Sequence, residues 1–237
     1  MEVATLASLY GVYEIVRGQG DATLAAAREH TDAIVSLERN LHVYGEHALQ
    51  RVVHGLPGVP TLLGIAYIVL HFLGTAAALV WLHRRHRSAF PVVRNTLIFA
   101  TAVALAVYVL FPVAPPRLAG LGFADTVSDG AHVNLSSDLL GSLYNPFAAV
   151  PSLHFGYALI VGVAVGTLAS RRWARALGWA YPAVMLVTIV GTGNHFFFDA
   201  AAGGIVVGAG YLFARAVASG ATAARWQGRQ ESVVAPC

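Results

Sequence analysis

Apolar residues in this chain come in long runs broken by short polar patches, not in the strict alternation of a half-buried strand. No Asp, Glu, Lys or Arg occurs over 58–82, 95–116, 139–170 or 176–198. A helix crosses the hydrocarbon layer of a bilayer with about 20 such residues. The runs therefore predict spans at 58–82, 95–113, 151–169, 176–192 and 195–218. A shorter stretch, 3–17, apolar apart from Glu14 and Arg17, completes a set of about six. Residues 21–56 have another character. Ile34, Leu37, Leu41, Tyr44 and Ala48 recur at three-four spacing, with Arg28, Glu29, Asp32, Glu38, Arg39 and Glu46 between them. That is the pattern of one or two amphipathic helices lying at a membrane surface. Residues 118–150 read as a long loop, a length that in compact folds usually carries function. Gly162/Gly166 and Gly204/Gly208 offer small-residue faces for close helix packing.

Composition narrows the class. Of 237 residues, 57% are hydrophobic and 11% charged, with mean hydropathy +0.63, against about 25% charged in a soluble domain. The chain reads as a single all-α integral membrane domain over 1–237, with an amphipathic segment at 18–57 and a helical core at 58–218. All fifteen basic residues are arginine, and the net charge is +3. They cluster at span ends: Arg84, Arg85, Arg87 and Arg94; Arg171, Arg172 and Arg175; Arg215, Arg225 and Arg229. The positive-inside rule makes these ends cytoplasmic, and the distribution points to a bilayer partner rather than nucleic acid. Cys237 has no second cysteine to pair with and is not placed as a prenylation site. Glu2 stands where a signal peptide carries its basic region, so the N-terminus is expected to be retained.

This topology gathers particular residues at the extracytoplasmic ends. Pro151-Ser152-Leu153-His154 opens a span. Proline suits the first helical position, and the free N–H groups of a first turn favour an anion. Arg117 follows Pro112-Val-Ala-Pro-Pro116, and its guanidinium fork suits phosphate oxygens; an interfacial, snorkelling arginine is the other reading. His195 and Asp199 are four residues apart and share one helix face. A carboxylate on one ring nitrogen leaves the other as an exposed lone pair, which makes a nucleophile. His154 would supply the acid/base partner. Arg117, Ser152 and helix-start N–H groups would hold a phosphoryl group. The chemistry implied is phosphoryl transfer through a phosphohistidine, with no metal or cofactor. Two other readings use the same residues: a two-His, one-carboxylate metal triad and a transporter with a polar cavity. His42, His47 and His54 read as solvated helix residues. His71 lies within a span with no evident partner, which points to a neutral packing role.

These residues resemble the type 2 phosphatidic acid phosphatase superfamily over about 58–215. Pro151-Ser152-Leu153-His154 is similar to its Pro-Ser-Gly-His motif, and His195 with Asp199 to the His-x-x-x-Asp end of its third motif. Pro115-Pro116-Arg117 sits where its first, arginine-containing motif is expected. The resemblance implies a six-helix membrane core whose active site faces away from the cytoplasm. It makes His195 the nucleophile, His154 the general acid, Asp199 the partner orienting His195, and Arg117 and Ser152 the phosphate ligands. The substrate would be a phospholipid or another lipid-linked phosphate. Two departures stand out. Leu153 replaces the glycine, and Thr188-Ile189 replaces the Ser-Arg pair preceding the third-motif histidine. The Pro-Pro-Arg and Gly-Asn-His-Phe forms, the latter with Asn194, resemble the branch containing inositol phosphorylceramide synthases, which are inositolphosphotransferases. A site with fewer cations is better matched to a singly charged phosphodiester than to a monoester. That leans toward head-group transfer over simple phosphomonoester hydrolysis. Arg39 or Arg51 of the amphipathic segment could restore the missing charge.

Overall fold

The computed structural model describes residues 11, 23–130 and 145–234, with side chains over 23–128 and 145–220. Among these residues the fold is all helical, and an isolated parallel bridge, Val113 to Ala148, joins two loops. Helix α1 is Leu24–Asn40 and α2 is Glu46–His54. Then come α3 (Val59–Arg85) and α4 (Phe90–Leu110), a short α5 (Thr126–Gly130), α6 (Leu153–Leu168), α7 (Arg172–Gly191) and α8 (Phe197–Val234).

Among the described residues, four helices are long and apolar enough to cross a membrane: α3, α4, α7 and the Phe197–Gly220 part of α8. The expected span at 151–169 is the 16-residue α6, about 24 Å long at 1.5 Å per residue, shorter than the hydrocarbon layer. The expected span at 3–17 lies outside the described residues except for Gly11. Helix α4 begins earlier than the charge-free run, because Pro91 fits its first turn and Arg94 is tolerated near its end. Helix α7 likewise takes in Arg172 and Arg175.

Short links after α3 and α6 make α3/α4 and α6/α7 antiparallel neighbours, so Arg85, Arg94, Arg171 and Arg172 share one end of the bundle. The end of α4, the start of α6 and the α7–α8 junction share the other. Glycine sets the closest crossing. A Cβ at Gly162 would lie 2.7 Å from the Gly178 carbonyl oxygen and from Pro182 of α7, so α6 and α7 touch backbone to backbone, as the Gly162/Gly166 spacing predicts. The Gly204/Gly208 pair does not act this way, since Gly208 faces open space; Gly203 makes the close approach instead.

Helices α1 and α2 correct the amphipathic reading. The buried face of α1 is Ala27, Thr31, Ile34, Val35 and Glu38, while Leu37 and Leu41 of the predicted stripe are exposed. Ile34 and Val35 pack with Val113, Ala149, Val150 and Phe196. The inward face is part polar because it docks on loops, whose backbone groups need partners. Thr31 donates to the Ala114 carbonyl at 2.9 Å, and His30 Nδ1 to that of Pro112 at 2.7 Å. Gln50 of α2 bonds both backbone groups of Ala124. His47 stacks on Phe123 at 3.7 Å and is a structural contact, whereas His42 and His54 are exposed as expected, His54 also hydrogen-bonding Thr126.

Candidate active site

Main-chain hydrogen bonds tie the three motif stretches together. Arg117 N–H donates to the Gly193 carbonyl, Ser152 N–H to that of Asp199, and Val113 N–H to that of Phe147. Each stretch is thus held by another rather than by side-chain packing alone.

His195 is delivered by the way α7 ends. Thr192 closes the helix, and Gly193 follows with φ +73°, a left-handed conformation that glycine adopts without a Cβ clash. The Gly193 N–H bonds the Val190 carbonyl and the Asn194 N–H that of Ile189, the paired bonds of a Schellman cap. The Ile189 carbonyl also receives the His195 N–H. His195 precedes α8 instead of opening it, a correction to the expected start of that helix. The four-residue contact forms all the same. His195 Nδ1 donates to Asp199 Oδ2 at 3.1 Å, and the same oxygen accepts the Phe196 N–H at 2.9 Å. Asp199 therefore caps α8 and orients the imidazole at once. Both side chains are buried.

Helix α6 begins at Leu153, not Pro151. Ser152 is its cap, and its Oγ accepts the Phe155 N–H at 3.3 Å. Pro151, expected at the first helical position, instead precedes the cap. Ser152 is fully buried and its hydroxyl is engaged with its own helix. The N–H groups of Leu153 and His154 have no partner among the described residues. They remain the donors of this helix start. The His154 ring lies 5.7 Å from that of His195 between centroids; it stacks on Tyr67 at 4.1 Å and meets His71 in a tilted contact at 4.1 Å. The reading of His71 as lacking a nearby partner is corrected by that contact.

Arg117 lies at the same end. Its Nε donates to Asn194 Oδ1 at 2.9 Å, and its NH1 is 3.8 Å from Asp125. Asn194 in turn donates to Thr192 Oγ1 at 3.0 Å, so it links the guanidinium to the cap of α7. Thr188 and Ile189, at the motif's Ser-Arg positions, are fully buried in the core. Neither Arg39 nor Arg51 is drawn into the cluster: Arg39 is exposed over the Tyr44 ring and Arg51 is exposed on α2.

Two residues that the sequence placed on a solvated face belong here. Glu46 Oε1 accepts the Phe197 N–H at 3.0 Å, and Glu38 Oε1 the Phe198 N–H at 2.6 Å. Together with Asp199 they supply acceptors to the first turn of α8, where unsatisfied N–H groups and the helix dipole favour acidic groups. Glu38 and Glu46 are fully buried. Burial, and after it the neighbouring Glu46 carboxyl, push Glu38 up to about 8. A run of acidic residues in an amphipathic pattern carries no sign of such a partner in the sequence.

The two histidines line one cavity of about 240 Å³. Tyr67, His71, Asn145 and Asn194 add polar atoms to its wall, and Phe72, Leu105 and Leu153 apolar ones. Phe72 is largely exposed on α3, so the apolar side of the cavity adjoins the outer surface of the bundle. Among the described residues, no group of three His, Cys, Asp or Glu side chains is arranged to hold a metal ion.

A family model described as the PAP2 superfamily matches residues 32–213. That is more than half of the chain, and the protein belongs to this superfamily. The match takes in most of α1 and all of α2, beyond the motif-bearing 58–215. No curated protein and no solved structure matches the chain. Superfamily membership supports an enzyme of lipid phosphatase type.

Proposed function

We propose that this member of the PAP2 superfamily transfers the phosphoryl group of a lipid-linked phosphate through a covalent phosphohistidine on His195. One observation carries the reading. His195 gives its Nδ1 proton to Asp199 and lines the cavity that it shares with His154. Its Nε2 is then the lone-pair nitrogen available to a substrate there. Nε2 attacks phosphorus, the P–N bond forms and the P–O ester bond breaks, while His154 gives its proton to the departing alcohol oxygen. An acceptor hydroxyl then attacks phosphorus, its proton returns to His154, and the P–N bond breaks. Arg117 and the N–H groups of Leu153 and His154 would stabilise the phosphoryl oxygens. Asn194 positions Arg117, and Ser152 acts by capping α6.

The acceptor we favour is an alcohol, giving head-group transfer between lipids as in the inositol phosphorylceramide synthase-like branch. One guanidinium, Arg117, stands in the cluster, and its charge is shared with Asp125. Such a site is better matched to a phosphodiester's single charge. The catalytic end faces away from the cytoplasm in this reading, opposite the arginine-rich ends, and residues 3–17 supply a sixth span to a single domain. The chemistry needs no metal, because Arg117 and the helix-start donors supply the charge stabilisation.

Reconstitution into vesicles with a panel of phospholipids, polyprenyl phosphates and phosphoinositides tests the function. New lipid product supports transfer, free phosphate would show a phosphatase instead, and no turnover on any lipid would refute an enzyme. Loss of turnover with chelators and its return with added metal would refute metal independence. For orientation, Cys237 is first replaced and a single cysteine introduced at Arg87. An impermeant thiol reagent should then fail to label intact cells, and labelling would reverse the topology.

A further inference from the structure

His71 is not used by the mechanism above, yet the fold makes a local exception to place it. Helix α3 widens into a π turn at Leu70–Gly74, a distortion that often marks functional positions in helices. The Leu70 carbonyl bonds the Tyr181 hydroxyl at 2.8 Å, so the turn is buttressed by α7. The turn brings the His71 ring to 4.1 Å from that of His154 between centroids, tilted by 34°, and stacks it on Tyr157 at 5.1 Å. His71 and His154 each precede the arginine-flanked end of their helix by about 14 residues, which at 1.5 Å per residue puts both at a common depth. His71 lines the same cavity as His154 and His195. Its Nδ1 is buried and has no hydrogen-bond partner among the described residues. A buried polar atom without a partner costs free energy, and in a residue that lines a cavity a ligand group is one way to supply that partner.

We propose that His71 is a substrate contact, with Nδ1 hydrogen-bonding a hydroxyl carried by the alcohol that leaves when His195 takes the phosphoryl group. The alcohol side follows from position: His71 packs against His154, the group assigned to protonate the leaving oxygen. This inference rests on the phosphoryl-transfer reading. The ligand class is therefore a hydroxyl-bearing alcohol, held at its polar end between His71 and His154 and running along the apolar wall by Phe72.

Two substitutions separate contact from packing. His71→Phe keeps a stacking ring and removes the nitrogen. His71→Asn removes the ring and keeps a polar atom at the Nδ1 position. Both are assayed in vesicles on the lipid that wild type turns over and on a nitrophenyl phosphate ester, whose leaving group has no hydroxyl. We expect His71→Phe to lose about ten- to a hundredfold in kcat/KM on the lipid, as for one buried hydrogen bond to substrate. Its loss on the nitrophenyl ester should be at least several-fold smaller, and His71→Asn should recover most of the lipid activity. Full lipid activity in His71→Phe, or equal loss on both substrates, would overturn the contact and leave phosphoryl transfer standing. A wild-type protein inactive on every lipid would overturn both.

Discussion

The backbone N–H of Ser152 donates to the carbonyl oxygen of Asp199 across 2.9 Å, so the start of α6 and the first turn of α8 are joined through main chain. Gly203 guards that junction, because a Cβ there would lie 2.5 Å from the Ser152 carbonyl oxygen. A methyl group would force the two helices apart. Gly203→Ala is expected to destabilise the fold by about 1–3 kcal/mol, as overpacking does, and to reduce turnover by separating His154 from His195. Thermal unfolding in detergent, measured beside activity, checks this. Unchanged values for both would show that the junction is slack.

Asp199 does two jobs with one oxygen, accepting from His195 Nδ1 and from the Phe196 N–H. Asp199→Asn keeps an oxygen for the cap and loses control of the imidazole tautomer. Turnover should fall about 10³–10⁴-fold, the scale seen when a histidine's orienting carboxylate is lost, with little change in melting temperature. A loss below tenfold would show that His195 is oriented by other groups.

The roles of the two histidines separate by leaving group. His154→Ala should be severely impaired on lipid esters, whose alkoxides need a proton, and should still release nitrophenol from a nitrophenyl ester in a first-turnover burst, with later turnovers slowed because His154 also takes the acceptor's proton. His195→Ala should be inactive on both. Equal loss on both substrates for His154→Ala would mean that it does not act as the acid.

Glu38 predicts a pH dependence of stability. Its pKa is raised to about 8 from an ordinary carboxylate value of 4.5, so the folded state holds the proton more tightly than the unfolded chain. The stabilisation is full below about 4.5 and drains away as pH rises through about 8. Glu38→Gln keeps an acceptor for the Phe198 N–H and removes the titration. Melting temperatures of wild type should decline between pH 5 and 9, and the variant should show a flatter profile. Parallel profiles would mean that the buried carboxyl pair does not hold this proton.

Much of this was legible in the sequence where one property sufficed. Charge-free runs located the long helices, since a bilayer accepts little else. The four-residue spacing of His195 and Asp199 foretold their contact, even though His195 lies before the helix. What was not legible depends on partners distant in sequence. Glu38 and Glu46 look like solvated acids until the N–H groups of Phe197 and Phe198 are brought to them. Thr31 and Gln50 likewise look like surface residues until the loops at Ala114 and Ala124 fold over them. The approach of His71 to His154 needs a π turn, which no local pattern announces. Arg39 and Arg51 are the reverse case, for motif spacing points to them as extra charges while the fold leaves both exposed.

The central claim is the covalent intermediate on His195, and trapping it is the most direct test. Whichever ³²P-labelled lipid the vesicle panel identifies as substrate is mixed with protein, quenched in base and analysed by peptide mass spectrometry. Phosphohistidine is expected at His195 in the wild type, and label should be absent from His195→Ala. It should accumulate in His154→Ala with an activated nitrophenyl ester, because transfer to the acceptor is then slow. Labelled protein in His195→Ala, or turnover with no label on His195 at any time point, would contradict the account.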